Sequence, residues 1–305
     1  MTGEIVLVTG AAGGSQGQTG RIVSELLLAK GVSVRAFVRK IDHRSERLRA
    51  LGAEVIEGDF LDYYSVERAT RGVSSVYFAY PVQEGLLQAT TIMADAARKA
   101  GVTRLIDMVM LVSSPDAPTP RMRENYLSER IFEWAGIGAA HVRATVFYEN
   151  MRALTAATIA LDGSILLPWG NQSTTIPLVS AEDVAGVAVG LLTSPSLEPG
   201  SSFPVIGEIL TLRDIVAIFQ QVLDRNLQYQ EVPDRAWADA ALSRGYNQHA
   251  VEHLSKLWQA LRAGIRISEI PDTILKLTGK SPKTFEEFLR EQKDAFRPQF
   301  ASAIA

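Results

Sequence analysis

The sequence predicts an α/β protein: a doubly wound parallel sheet followed by a smaller mixed α/β lobe. Short aliphatic runs alternate with amphipathic stretches of helical length through the first half of the chain, which is typical of parallel βαβ units. Past about residue 155 the apolar runs become shorter and the helical stretches lie closer together. We therefore expect a first domain over 1–155 and a smaller lobe over 156–305, with 180–192 able to pack back on the first domain.

The chain opens with a strand, a glycine-rich turn, a helix and a second strand. Aliphatic and β-branched residues at 5–8 predict the first strand, and apolar residues at 22–27 predict the helix, which Gly31 ends. The turn between them runs over 10–20. Such a turn lets backbone N–H groups and the positive end of a helix approach a phosphate closely. We interpret this unit as the start of a Rossmann-type domain that binds a dinucleotide.

Further strands of the sheet follow in the first half of the chain. They are expected at 32–38, 53–56, 74–79, 103–112 and 139–147. Helical stretches separate them, so right-handed crossovers within one parallel sheet are expected. In the second lobe, helices are expected over 211–223, 234–243 and 285–291, whereas 194–202 is typical of a loop.

Composition excludes several classes of protein. A net charge of −3 and a sequence pI of about 5.9 argue against nucleic-acid binding, which usually needs a basic face. The absence of cysteine excludes disulfides, thiolate zinc sites and cysteine nucleophiles. No apolar run approaches ~18 residues, so we expect no membrane span, and the first residues do not have the pattern of a secretory signal. A cytoplasmic protein is therefore the expectation.

Six stretches spread over nearly the whole chain are similar to the corresponding parts of a known family. They are Val8–Gly13, Val34–Arg39, Gly58–Phe60, Phe147–Asn150, Ile176–Val179 with Asp183, and Leu277–Phe285. In them the chain resembles the NmrA-like family of atypical short-chain dehydrogenases, which includes quinone and triphenylmethane reductases and relatives of isoflavone reductase. The last two stretches lie far from the glycine-rich turn, which makes the resemblance specific to this family. One departure is the extra Gly14-Ser15 in the turn, which leaves open which amides contact phosphate.

The end of the second strand bears on the choice of cofactor. Sites that prefer NAD place a carboxylate ~20 residues past the glycine turn, and here Arg39 and Lys40 stand instead, with Asp42 as the one acid nearby. Two cations suit a 2′-phosphate, so we expect NADPH (NADP⁺) in preference to NADH, with an exposed polar loop as the alternative reading. For the pairs Asp59-Phe60 and Tyr80-Pro81, turn formation alone is the alternative. The expected cofactor-binding residues, several of them implied by the resemblance, are Gly10, Ala12, Gly13, Gln16, Gly17, Gln18, Thr19, Arg39, Lys40, Asp59, Phe60, Ala79, Tyr80, Pro81, Ser113, Tyr148 and Asn150.

The catalytic residues are less clearly marked. Short-chain dehydrogenases pair a Tyr with a Lys four residues later on a helix, so that the ammonium lowers the pKa of the phenol. This chain has Tyr126 with Arg130 at that spacing, and no Lys lies between Lys99 and Lys256. Arginine favours a phenolate but cannot relay a proton. Tyr126 is therefore either a proton donor or part of a structural helix face. Ser113 either bonds a substrate carbonyl or the nicotinamide ribose, or starts a turn at Pro115.

Two motif matches are not interpreted as sites. Gly13-Gly14-Ser15-Gln16-Gly17 fits the pattern of a serine-hydrolase elbow, but it follows the first strand, so no earlier strand supplies an oxyanion donor. His249-Ala250-Val251-Glu252-His253 fits a zinc pattern, but no third ligand is evident and a solvated helix face is expected. No metal site is predicted.

Two functions remain open from the sequence. In the first, the protein is an NADPH-dependent reductase of a small apolar substrate, aromatic or quinone-like, with a carbonyl or double bond. Trp169, Tyr148, Met151 and Trp237 would then either line its pocket or simply fill the core. In the second, the protein binds NADP(H) without turnover and reports redox state to a protein partner, which the resemblance also implies. The missing Lys favours the second, and a homodimer is left open as the assembly.

Overall fold

The structure is a computed structural model that describes residues 4–14, 18–264, 267 and 269–297. The chain forms two compact units. The first comprises the chain up to Ala144 with Ala181–Val205 and Thr273–Lys280, and the second comprises Thr145–Ser180, Ile206–Asp272 and the chain from Ser281 onward. The units are therefore interleaved in sequence, unlike the contiguous ranges 1–155 and 156–305 that the sequence led us to expect.

Helices and strands occupy most of the described residues. In chain order they are β1 (Ile5–Thr9), α1 (Thr19–Ala29), β2 (Ser33–Val38), α2 (His43–Ala50), β3 (Glu54–Glu57), α3 (Tyr63–Thr70), β4 (Ser75–Phe78), α4 (Leu86–Ala100), β5 (Arg104–Met110), α5 (Pro120–Ala135), β6 (Ala139–Ala144), β7 (Val146–Phe147), α6 (Tyr148–Asp162), β8 (Ser164–Leu167), β9 (Thr175–Val179), α7 (Ala181–Leu192), β10 (Ser202–Val205), β11 (Glu208–Thr211), α8 (Leu212–Leu223), β12 (Gln228–Glu231), α9 (Asp234–Ser243), α10 (Gln248–Arg262), α11 (Thr273–Thr278), α12 (Phe285–Glu291) and a final 3₁₀ turn (Lys293–Phe296).

The first unit is built on a seven-stranded sheet in the order β10-β6-β5-β4-β1-β2-β3, and all of its strand pairs are parallel. The central strands are largely buried, as their near-continuous apolar sequences require of strands covered on both faces. The strand order changes direction between β1 and β4. The carboxyl ends of these two strands therefore border the crevice in which such folds bind ligands. The predicted Rossmann-type doubly wound sheet is confirmed.

Helices cover both faces of this sheet. α3, α4 and α5 pack side by side, and α1, α7 and α11 form a second group. Leu7 lies in the apolar cluster under the first group, so by the alternation of side chains along a strand Val6 and Val8 face the second. The helix α7, whose placement the sequence left open, belongs to the first unit.

β10 was not expected from the sequence, because it begins at Ser202, the last residue of a segment expected to be a loop. β10 pairs in parallel with β6, from Ser202 opposite His141 to Val205 opposite Ala144. It is four residues long, contains Pro204 and stands at the edge of the sheet, where a residue without an N–H group is tolerated. Because so short a segment has no apolar run or alternation, only its pairing with β6 defines it. β6 itself ends at Ala144, earlier than expected.

The second unit contains a three-stranded sheet in the order β11-β9-β7 and a parallel pair of β12 with β8. β9 pairs antiparallel with β11 and parallel with β7, so this part is mixed as predicted. The expected helices at 211–223, 234–243 and 285–291 are present as α8, α9 and α12. Within the described part of the chain, no helix combines the length and apolarity that crossing a membrane requires.

Candidate cofactor site

The glycine-rich turn begins at the carboxyl end of β1. Gly10 and Gly13 have positive φ angles of 61° and 68°, which favour glycine, and the Gly13 N–H donates to the Gly10 carbonyl oxygen at 3.0 Å. Ala12 lies half-buried between them. Gln16 and Gly17 lie outside the described residues, so their contacts with a cofactor stay predictions.

The first turn of α1 contains no acidic residue that would repel a phosphate. Among the described residues no side chain makes a capping hydrogen bond at Gln18, and the first turn of the helix, which begins at Thr19, contains no Asp or Glu. The first N–H groups of a helix have no partner within the helix, and together with the helix dipole they attract anions. An uncapped helix end that follows a left-handed glycine turn fits the pyrophosphate of a dinucleotide.

Gly20 brings the start of α1 against the end of β1. A Cβ atom at this position would lie 2.4 Å from the carbonyl oxygen of Thr9 and 2.6 Å from that of Gly10. Both atoms belong to the backbone and cannot rotate away, so only glycine permits the observed approach. The close packing holds the helix end next to the turn.

Thr9 joins the two strands that border the crevice. Its Oγ1 accepts a hydrogen bond from the Ala79 N–H at 2.8 Å and donates to the Ala79 carbonyl oxygen at 3.2 Å. Both polar backbone groups of Ala79, a predicted cofactor residue, are thus engaged within the protein. Sequence reasoning missed Thr9, although a polar residue at the end of an apolar strand was a visible signal.

The cationic end of β2 contains the predicted 2′-phosphate site. Arg39 and Lys40 follow β2 and are exposed. The side chain of Asp42 caps α2 and pairs with the Arg44 guanidinium (Nη2–Oδ2 2.6 Å), and this hydrogen bond lowers the pKa of Asp42 to about 2. Arg44 also donates from Nη1 to the Gly13 carbonyl oxygen at 2.8 Å. Asp42 is therefore already paired, and Glu57, a second acid at this end of the sheet, accepts a hydrogen bond from the Ile41 N–H at 2.8 Å. Arg39 and Lys40 remain exposed, where they can meet a phosphate.

Phe60 belongs to an aromatic cluster of the first unit. Its ring meets those of Phe37, Phe78 and Tyr80 edge-on, with centroid distances of 5.3, 5.9 and 5.3 Å. Phe60 is only half-buried, so part of the ring is open to a ligand such as adenine. The cluster therefore fixes the orientation of the Phe60 ring and leaves part of its surface exposed.

The loops after β3 and β4 contain the other residues predicted from turn-like sequences. Asp59 is exposed, and its Oδ1 accepts from the Leu61 N–H at 2.9 Å. Tyr80 is 5% exposed and donates from its hydroxyl to the Glu84 carbonyl oxygen at 2.8 Å, while Pro81 is half-buried. These contacts agree with the turn-forming alternative for Asp59 and Tyr80, and their roles toward a cofactor stay predictions.

Ser113 and Tyr126 are the predicted catalytic residues. Ser113 lies past the carboxyl end of β5, is 6% exposed, and its Oγ has no hydrogen-bond partner among the described residues. Tyr126 is half-buried on α5, with the guanidinium carbon of Arg130 5.5 Å from its ring centroid. Arg130 in turn pairs with Glu133. A buried hydroxyl without an acceptor is a hydrogen-bond donor available to a ligand, whereas the cation beside Tyr126 is already paired.

Tyr148 and Asn150 lie in the second unit, at the start of α6. Tyr148 is fully buried, and its hydroxyl lies 2.8 Å from Glu208 Oε2 and 3.0 Å from the Lys283 carbonyl oxygen. Its ring also contacts that of Phe285. Asn150 is half-buried. The hydroxyl of Tyr148 is thus part of the packing of the second unit.

The side chains considered for an apolar pocket are core residues. Trp169 and Met151 are fully buried and Trp237 is 7% exposed. Trp169 packs against Trp258 with 5.4 Å between ring centroids. Of the two readings of these residues, core packing is the one that the structure shows.

The His–Glu–His segment on α10 is not the solvated face that the sequence suggested. Glu252 is exposed and pairs with Lys256 at 2.8 Å, but His253 is only 5% exposed. The expectation is therefore wrong for His253, because this position faces inward on an amphipathic helix. No three His, Asp or Glu side chains in the described ranges are grouped so that they could hold a metal ion.

His141 lies in a buried polar cluster on β5, β6 and α5. It is fully buried, with Nδ1 3.6 Å from Asp107 Oδ2 and Nε2 3.2 Å from Glu133 Oε1. Burial disfavours the charged imidazole, but the carboxyl groups of Asp107, Glu129 and Glu133 outweigh it and raise the pKa of His141. His141 is therefore a core residue whose Nε2 is hydrogen-bonded to Glu133, whereas its Nδ1 has no hydrogen-bond partner among the described residues.

Known proteins with a similar sequence or fold agree with this geometry. The sequence model of the NmrA-like family matches residues 2–289. A (4-alkanoyl-5-oxo-2,5-dihydrofuran-3-yl)methyl phosphate reductase of Streptomyces griseus is 32% identical over 97% of this chain and 100% of its own length. Triphenylmethane reductase of a Citrobacter species, solved with NADP(H), superposes with a TM-score of 0.80 at 21% identity, covering 95% of this chain and 100% of that one. The negative transcriptional regulator NmrA, solved with NADP, gives 0.78 at 19% identity and covers 97% and 98%.

Proposed function

Because this chain belongs to the NmrA-like family, we propose that it is an NADPH-dependent reductase of a small apolar substrate with a conjugated carbonyl or double bond. The observation that carries the proposal is the start of α1 beside the Gly10–Gly13 turn, which no side chain of the described residues caps, together with exposed Arg39 and Lys40 at the end of β2. A reductase that is 32% identical over 97% of this chain supports it.

Different parts of the site would bind different groups of the cofactor. The glycine turn and the first N–H groups of α1 would hold the pyrophosphate, and Arg39 with Lys40 would hold the 2′-phosphate. Asp42 offers no competing carboxylate, because Arg44 is hydrogen-bonded to it. Bound NADPH would supply the hydride.

The protein contributes positioning more than acid–base chemistry. The hydride that bound NADPH would supply brings the electron pair of the new C–H bond, so the π electrons of the substrate would move toward its carbonyl oxygen. We assign the free hydroxyl of Ser113 to that oxygen, as a hydrogen-bond donor to the developing charge. Tyr126 has a paired arginine beside it and no Lys, so it contributes less, and solvent supplies the proton.

The substrate class follows from the same reasoning. A saturated ketone needs a proton at oxygen as hydride arrives, whereas a conjugated acceptor can spread the charge and be protonated later. The S. griseus relative is named for the methyl phosphate of an alkanoyl dihydrofuranone, whose ring is a conjugated lactone. Unsaturated lactones, quinones and cationic triarylmethane dyes are therefore expected to react in preference to simple ketones.

The test is turnover by the purified protein. NADPH is mixed with quinones, unsaturated lactones, a triphenylmethane dye and saturated ketones, and the absorbance of the reduced nicotinamide is followed. Gly20→Val, which blocks the start of α1, serves as the inactive control. NADPH oxidation with a conjugated acceptor but not with the control supports the proposal. Tight NADPH binding with no turnover of any acceptor would instead favour a redox-reporting protein, consistent with the absence of Lys between residues 99 and 256.

A further inference from the structure

Arg121 is a buried cation of the first unit with little compensation. It lies in the first turn of α5 and is 3% exposed. Among the described residues its one ion-pair partner is Glu124, whose Oε2 lies 3.9 Å from Nη1, beyond hydrogen-bond distance. Its Nε is buried without an acceptor in the same part of the chain. Burying a charge costs free energy unless the charge is paired or hydrogen-bonded. The groups that Arg121 contacts therefore indicate its role.

Arg121 donates hydrogen bonds to the loop that follows β4. Nη2 donates to the Tyr80 carbonyl oxygen at 2.9 Å, and Nη1 donates to the Gln83 carbonyl oxygen at 3.4 Å. The guanidinium also lies over the Tyr80 ring, 5.6 Å from its centroid. Burial lowers the pKa of Arg121 to about 10, so the group still carries its charge at neutral pH. The loop is therefore braced by a permanent positive charge.

This loop borders the nicotinamide side of the crevice. β4 pairs with β1 on one side and β5 on the other, and the strand order changes direction at the β1–β4 boundary. In doubly wound folds the dinucleotide lies across that boundary, with the two mononucleotides over opposite halves of the sheet. The adenine half follows the glycine turn and β2, so the nicotinamide half falls on the side of β4, β5 and Arg121.

We propose that Arg121 makes this protein bind NADPH more tightly than NADP⁺. The two forms differ in charge at the nicotinamide ring alone, which is neutral when reduced and positive when oxidised. A fixed cation on that side repels the oxidised ring and leaves the reduced ring unaffected. The inference rests on the proposed function, and it would serve turnover by favouring release of the oxidised cofactor.

The expected size of the effect follows from Coulomb's law. Two unit charges roughly 8 to 14 Å apart, at an effective dielectric of about 20, change a dissociation constant by about sevenfold to thirtyfold. Loss of the brace alone would weaken both forms of the cofactor equally. The ratio of the NADP⁺ and NADPH dissociation constants therefore isolates the effect of the charge from that of the packing.

The experiment measures both dissociation constants by calorimetry for the wild type and three variants. Arg121→Met keeps the bulk without the charge, and its ratio should fall by about sevenfold to thirtyfold. Arg121→Lys keeps the charge, so its ratio should stay near that of the wild type even if both affinities weaken. Glu124→Gln removes the counter-charge and should raise the ratio, which provides a test in the opposite direction should Arg121→Met not fold.

The outcomes separate this inference from the proposed function. An unchanged ratio in Arg121→Met, with both affinities weakened equally, would show a purely structural brace and overturn the inference. A ratio in Glu124→Gln that falls or does not move would overturn it as well. Failure of the wild type to bind either form would contradict the proposed function itself.

Discussion

Replacing Gly20 with alanine should push the start of α1 away from the end of β1 and the glycine turn. The added Cβ would lie 2.4 Å from the Thr9 carbonyl oxygen and 2.6 Å from that of Gly10. Ordinary C···O contacts are about 3.3–3.6 Å, so the helix must retreat by about 1 Å. Overpacking of this kind typically costs about 1–3 kcal/mol of the free energy of unfolding.

The same displacement should weaken cofactor binding. The N–H groups at the start of α1 would move away from the pyrophosphate, and a charge-assisted hydrogen bond contributes about 1.5–3 kcal/mol. We therefore expect NADPH affinity to fall by about tenfold or more. Stability is measured by urea denaturation without cofactor, and affinity by quenching of tryptophan fluorescence.

Gly14→Ala is the matched control in the same turn. Its φ is not positive, and the one non-neighbouring atom of the described residues within 4 Å of the added Cβ is Arg44 Nη1 at 3.9 Å. The control should change the free energy of unfolding by no more than about 0.5 kcal/mol. If Gly20→Ala unfolds at the wild-type urea concentration and binds NADPH with wild-type affinity, the close approach does not hold the site as we argue.

Three further predictions concern the cofactor, the catalytic groups and pH. Arg39→Ala should weaken NADPH by about tenfold or more and leave NADH nearly unchanged, in titrations of both cofactors; equal losses would place the 2′-phosphate elsewhere. Tyr126→Phe should lower single-turnover NADPH oxidation by less than the ~10²–10⁴-fold of a positioned general acid, and a thousandfold loss with unchanged cofactor binding would restore Tyr126 as proton donor. Because the folded state raises the pKa of His141, its stabilising effect is full below the unfolded value of about 6.5 and is lost as pH rises through the folded value. Urea midpoints should therefore fall from pH 6 upward in the wild type, and His141→Gln should lose that slope; an identical slope in the variant would assign it to another group.

The sequence by itself determined the class of fold and the place of the cofactor turn. Both depend on local patterns: the apolar run at 5–8, the glycines over 10–20 and the alternation of strands with helices. A strand covered on both faces must be apolar along its length, and a turn with positive φ must use glycine, so each requirement is written within a few neighbouring residues. For the same reason the cations at Arg39 and Lys40 could be related to cofactor choice from their position after the second strand.

The tertiary structure alone decided the contacts that shape the site. β10 becomes a strand because it pairs with β6, Thr9 matters because it bonds Ala79, and Asp42 is neutralised by an arginine that also reaches Gly13. From the sequence, Arg121 would be expected to be solvated, because it lies in a helix with many charged residues. In the structure it is only 3% exposed. Pairing between distant segments and the burial of a charge depend on which surfaces meet after folding. The periodicity of apolar residues shows only which face of each element is apolar. It therefore does not show which distant segments pair or which charged side chains become buried.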